Sequence, residues 1–262
     1  MKNFIIFLNF VLFSSFGFSQ NYFGFVAADT QGAQGSYWHT SITLTNFSQN
    51  SFSIPCTLYL SSGQSISFSL EMPAGSSFSK LLIDILRENG NKIQNFFGWV
   101  EMDISSVPEE FAGEILMYTP DPNGGEGAIF AERTEVFVGE EDMVLYPLTP
   151  CGKDAKEPMA LGGAVWRTNI GFINTSLKAT TVGVDCFDGD GTMIVHTQIN
   201  LNPKQIIQLN DVRRPEIWNL TCGMIKEPVI CFVGTSDPEA LVYAYGANNN
   251  NVNNFPLYIS PQ

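Results

Sequence analysis

From Ser65 to Met72 the chain alternates without a fault. Ile66, Phe68, Leu70 and Met72 fall on one side, and Ser65, Ser67, Ser69 and Glu71 on the other. A period of two over eight residues predicts a strand with one buried face. Val182, Val184 and Cys186 alternate with Gly183, Asp185 and Phe187, and Val100, Met102 and Ile104 with Glu101 and Asp103. Turn signals separate such runs, among them Ser61-Ser62-Gly63 and Asp188-Gly189-Asp190-Gly191. The pattern predicts strands over 37–46, 52–60, 64–72, 76–82, 97–104, 113–119 and 128–137. A second set follows over 165–174, 180–187, 192–201, 204–209, 222–226, 229–235 and 240–246. One short helix is expected between Lys80 and Asn89, stopped by Gly90.

The two sets of strands carry related residues. At an offset of 128, Trp38, Thr40, Ile42, Asn46, Ser48, Gly63 and Ile66 match Trp166, Thr168, Ile170, Asn174, Ser176, Gly191 and Ile194. That is seven identities in 29 positions, where composition alone would supply roughly two. Later matches drift, with Pro73 against Pro203 and Gly98 against Gly223. The expected organisation is a first β-sandwich over 20–137, a linker over 138–162 and a second β-sandwich over 163–262.

The pattern Trp-x-Thr-x-Ile-x-x-x-Asn, followed by a strand, a Gly turn, an alternating strand and a Pro, resembles a repeat unit of secreted bacterial β-sandwich modules. The resemblance covers both halves. It implies an all-β chain of two tandem antiparallel immunoglobulin-like domains in a secreted setting, and it brings no active site with it.

The N-terminus reads differently. Lys2, an apolar run from Phe4 to Phe13 and the small residues Gly17 and Ser19 have the three parts of a secretory signal. Residues 1–19 are therefore expected to be removed, after Ser19 or alternatively Gln20. The ten-residue run falls short of the ~20 residues a transmembrane helix needs. The expected location is outside the cell, in the periplasm or on the cell surface.

Charge narrows the partners. The 262 residues hold 13 basic and 26 acidic side chains, a net charge of −13. Nucleic acid is excluded as an expected partner, because phosphate contacts need Lys and Arg. Twelve of the acids lie between Glu101 and Asp142, where the one base is Arg133. The expected role of this acidic patch is to keep an apolar sandwich soluble, with attraction of divalent cations or a basic partner as the alternative. A protein or glycan at the cell envelope or outside the cell remains the expected partner.

Candidate chemistry is sparse. No Gly-x-Ser-x-Gly elbow or phosphate loop occurs, and no catalytic residue is assigned. Asp185, Asp188 and Asp190 resemble part of a calcium loop. The simpler reading of that segment is a hairpin turn, and no cofactor is expected. Five cysteines in an exported chain allow disulfides. The favoured pair is Cys222–Cys231 across a hairpin, with Cys186–Cys231, joining the two sheets, as the alternative. Cys56 is expected in the core. His39 and His196 are expected on the surface, and Trp38 and Trp166 as core anchors. Trp218 stands in an irregular stretch beside Arg213 and Arg214, the composition of a binding hot spot. Asn46, Asn174 and Asn219 begin Asn-x-Ser/Thr triplets, which matter only in a glycosylating host. The leading functional expectation is a non-catalytic structural or interaction module. A carbohydrate-binding module is the alternative, and a hydrolase without a recognisable motif comes third.

Overall fold

A computed structural model describes residues 22–32, 37–108, 110–120, 126–130, 144–148, 166–214, 216–220, 223–237, 239–250 and 256–259. The leader over 1–19, residues 109, 121–125 and 131–142 of the acidic patch, Cys151 and Cys222 lie outside the described residues. So does the side chain of Trp166.

Strands dominate and every strand pairing is antiparallel. In chain order the first half holds β1 (Tyr22–Gln31), β2 (Tyr37–Asn46), β3 (Phe52–Leu60), β4 (Ser65–Met72) and β5 (Ser77–Leu81). Then come α1 (Leu82–Glu88), β6 (Phe96–Asp103), β7 (Phe111–Pro120) and β8 (Glu126–Phe130). The second half holds β9 (Val144–Leu148), β10 (Trp166–Asn174), β11 (Thr180–Phe187) and β12 (Met193–Leu201). It ends with β13 (Ile206–Leu209), β14 (Val229–Thr235), β15 (Val242–Asn250) and β16 (Pro256–Ile259). No helix among the described residues is long and apolar enough to cross a membrane.

The strand order is the same in both halves. The second half has two sheets, β12-β11-β14-β9 and β13-β10-β15-β16. The first half has β4-β3-β6-β1 and β5-β2-β7-β8, every label eight lower. There the two sheets run into one another at β1, which pairs with β6 along Tyr22–Asp29 and with β2 at Thr30 and Gln31. Where β1 changes partner, the Thr40 hydroxyl accepts from the Ala28 N–H at 2.8 Å and donates to the Ala28 carbonyl at 3.0 Å. One side chain thus stands in for two missing ladder bonds.

Alternation places each core between its own two sheets. Ile42 and Leu44 of β2 meet Cys56 and Leu58 of β3 and Phe68 and Leu70 of β4. Helix α1 adds Leu82, Ile83, Ile85 and Leu86 to the same cluster. In the second half Ile170 and Phe172 of β10 meet Val182 and Val184 of β11. β1 was not anticipated, and the reason is burial on both faces. Phe25 and Ala27 enter the first core while Val26 faces the second half, so the run Phe-Val-Ala-Ala shows no alternation.

Three expectations are corrected. Residues 144–148, inside the expected linker, form β9 and pair with β14 from Val229 to Val233. No strand forms over 223–226, where Gly223 and Met224 lie in a turn. The disulfide of Cys231 is with Cys186 instead of Cys222. The two cysteines face each other on neighbouring strands of one sheet, with Cα atoms 4.0 Å apart. The bond therefore staples a sheet and does not join two. Cys56 is a buried free thiol, pushed up by loss of solvent.

The most detailed correspondence between the halves surrounds two buried asparagines. Asn46 Nδ2 donates to the carbonyls of Asn50, Met72 and Pro73 at 2.8, 3.2 and 3.0 Å. Asn174 Nδ2 donates to those of Lys178, Leu201 and Asn202 at 2.7, 3.4 and 3.0 Å. Each Oδ1 accepts from the N–H and hydroxyl of the Ser two residues on. Both asparagines are fully enclosed, so neither triplet can carry a glycan in the folded state. Each amide ties three chain segments at a corner of its sandwich. Replacing either Asn46 or Asn174 by Ala leaves several buried groups unpaired and should cost about 2–4 kcal/mol, read as a lower urea midpoint. Removing the disulfide as Cys186→Ala with Cys231→Ala frees a loop of 45 residues, worth about 4 kcal/mol at most on chain entropy. The same measurement on that double variant should show a loss of about 2–4 kcal/mol.

Candidate functional site: the cleft between the halves

The outward face of one sheet in each half is also apolar, and these two faces meet. Odd positions of β6 point away from the first core, which sends Trp99 outward beside Tyr59 of β3 and Val26 of β1. From the other side come Ile173, Ile206, Tyr243 and Tyr245. Trp99 is 1% exposed, although a strand residue on an outward face would ordinarily meet water.

Lys204 locks this contact. The Trp99 indole N–H donates to the Lys204 carbonyl at 2.9 Å. The ammonium reaches Glu101 at 2.6 Å and lies 5.5 Å from the ring centres of both Tyr59 and Trp99. Those rings stack at 4.8 Å. Burial, and then the Glu101 charge, push the Tyr59 phenol up to about 12. Lys204 has a left-handed backbone, φ 58°. The matching turn of the first half has Gly75 there, φ 61°, and both residues donate a backbone N–H to the Ser of the Asn-x-Ser corner. The turns align Pro73 with Asn202, one residue off the pairing the sequence suggested. A side chain in this conformation costs roughly 1 kcal/mol or more, which the Glu101 and aromatic contacts offset.

Beside this joint the two faces part and leave a cavity of about 590 Å³, within the range of small-molecule sites. Trp38, Phe97 and Met117 line it from the first half; Ile206, Tyr245, Arg167, Asn169, Gln208 and Arg214 line it from the second. Tyr245 lies flat over Gly171, where a Cβ would fall 2.0 Å from its ring. Its hydroxyl donates to Gln208 at 2.7 Å, and Gln208 in turn donates to Asn210 at 2.6 Å. These polar groups are therefore held in place before anything binds.

Three of the chain's five arginines gather at this end of the cleft. Burial pulls the Arg167 guanidinium below its ordinary value; Asp211 opposes this, and Arg213 and Arg214 add to it. Asp211, itself at φ 58°, is engaged by Arg213 through Nε at 2.6 Å and Nη2 at 2.8 Å. Asn169 accepts the Asp211 N–H at 3.0 Å. Arg213 Nη1 and Arg214 Nε are buried and without a hydrogen-bond partner. A buried donor left so costs about 1–3 kcal/mol.

The expected hot spot is thus divided. Arg214 lines the cleft, Arg213 turns inward onto Asp211, and Trp218 packs half-buried against the second core. Trp38, expected as a core anchor, is half-buried and lines the cleft. His39, expected on the surface, is half-buried and meets buried Asp29 at 3.1 Å. His196 is exposed and meets Asp185 at 2.6 Å. Asp185, Asp188 and Asp190 do not converge on one point. Asp188 accepts the N–H groups of Thr192 and Asp190, which hold its carboxyl below the usual range, and Asp190 pairs with Lys226. The segment forms the hairpin turn between β11 and β12. No group of three or more His, Cys, Asp or Glu suited to a metal occurs among the described residues.

No family model matches the chain, and no curated protein matches it. Among solved structures, a chain of infectious bursal disease virus (Gx strain) is 11% identical, over 91% of this chain and 72% of that one, with a TM-score of 0.20. That likeness carries no argument about fold or function.

The joint predicts its own perturbation. Lys204→Gly relieves the left-handed backbone but leaves Glu101 half-buried without its cation. The net effect should be destabilising by about 1–2 kcal/mol in urea denaturation. Gly75→Lys, which adds strain at the corresponding turn without the Glu101 and aromatic contacts of Lys204, should also destabilise.

Proposed function

We propose that this chain is an exported, non-catalytic interaction module that presents the cleft between its two halves to a partner in the cell envelope or outside the cell. The observation that carries the reading is the chemistry of the cleft. Its polar lining is dominated by guanidinium and amide groups, with the hydroxyls of Thr30, Ser61 and Tyr245 beside them, and its carboxylate, Asp211, is already held by Arg213. Such a lining is suited to hold a ligand through hydrogen bonds and charge. The leader-like N-terminus and the intrachain disulfide support export into an oxidising compartment. The shared strand order and the matched asparagine corners support an internally duplicated pair of sandwich-like units.

The carbohydrate-binding reading keeps one specific support, the Trp38 and Phe97 side chains beside the amides of the cleft. An open aromatic platform is not its basis, since Trp99 is buried and Trp218 packs on the core.

Expression of the full chain in an exporting host tests the first point. Mass spectrometry of the exported protein should show cleavage after Ser19 or Gln20. The purified product should then co-sediment saturably with isolated cell envelopes or extracellular polysaccharide, and Trp38→Ala should weaken that binding by about tenfold. A retained leader would overturn export as read here, and binding that never saturates would overturn the interaction reading.

A further inference from the structure

We infer that the cleft binds a small, ring-bearing organic carboxylate, its carboxylate on Arg214 and its ring against Trp38 and Phe97. This deepens the interaction reading and rests on it.

The charge of the site argues for an anion. The chain carries −13 overall, yet Arg167 and Arg214 both line this cavity, where the one carboxylate among the described lining residues is that of Asp211. Arg213 occupies both oxygens of Asp211. Glu216 stands 3.9 Å from Arg214 Nη1, with its side chain 66% exposed, so it screens Arg214 weakly. Arg214 borders the cavity and keeps a buried Nε–H without an acceptor. A carboxylate fits a guanidinium fork with two parallel hydrogen bonds.

The opposite wall argues for the ring. Trp38, Phe97 and Ile206 give the cavity an apolar side that a bare inorganic anion would leave wet. About 590 Å³ accommodates a body of one or two rings. Gln208, fixed by Tyr245 and Asn210, adds a polar edge.

Two sources share this chemistry, acidic sugars and aromatic acids. Calorimetric titration of the folded, disulfide-intact chain separates them. One set of probes is glucuronate and galacturonate, with glucose as the neutral control. The other is benzoate and indole-3-acetate, with benzyl alcohol as the control. Inorganic phosphate tests for an anion without a ring. At least one acid should bind, and its neutral control about tenfold or more weakly. Arg214→Ala should weaken binding by about tenfold or more, and Arg214→Lys, which keeps the charge and loses the fork, by less. Arg214 is 42% exposed, so both variants should fold, which the unfolding midpoint checks. Arg87→Ala, on exposed α1, should change nothing. Equal binding of acid and neutral control, binding of phosphate alone, an unchanged Kd in Arg214→Ala, or silence from all four acids would overturn the proposal. Envelope binding that persists alongside such a failure would leave the interaction reading standing.

Discussion

A sheet in a sandwich has one face for its core and one for water. In this chain, β1, β3 and β6 carry apolar groups on both, and the molecule must find cover for the second set. The cover is the outward face of β10, β13 and β15. That burial ties the two halves together. Trp99 is enclosed, its N–H needs an acceptor, and the acceptor is the carbonyl of a turn that belongs to the other half. Beside the packed joint, the two faces leave the cleft.

The alternating strands were legible in the sequence because each has one wet face. β4, β11 and β14 form where the period of two placed them. β1 lacks a wet face, and a period-two search has nothing to find there. β9 was hidden in a Pro-rich stretch and shows itself only through its pairing with β14. The corner asparagines stood out as repeated letters, but their burial and their three carbonyl partners did not. Cys186 and Cys231 were placed in opposite sheets because the order of strands within a sheet is not written in their spacing.

The cleft was barely legible. Arg214 drew notice through its neighbours Arg213, which pairs with Asp211, and Trp218, which packs on the second core. Arg167 and Tyr245 fall inside expected strands, over 165–174 and 240–246, with nothing to set them apart from their neighbours. They become one site because β10 and β15 are neighbours, with Gly171 opposite Tyr245. A glycine is what lets that ring lie across the strand. Convergence of this kind depends on tertiary pairing, which local patterning does not encode.

The joint between the halves has a direction. It brings together the outward face of β4-β3-β6-β1 and the outward face of β13-β10-β15-β16, which hold different places in the common strand order. Contacts between unlike faces are heterologous, and a heterologous contact has no built-in end. Each half therefore retains one face of the kind its neighbour used. On the second half, that face carries Phe187 and Phe232 edge to face and the exposed Asp185–His196 pair, in place of the stacked Tyr59 and Trp99. On the first half, Gly75 stands where the ammonium of Lys204 would be needed. Neither free face therefore repeats the set of contacts that joins the two halves.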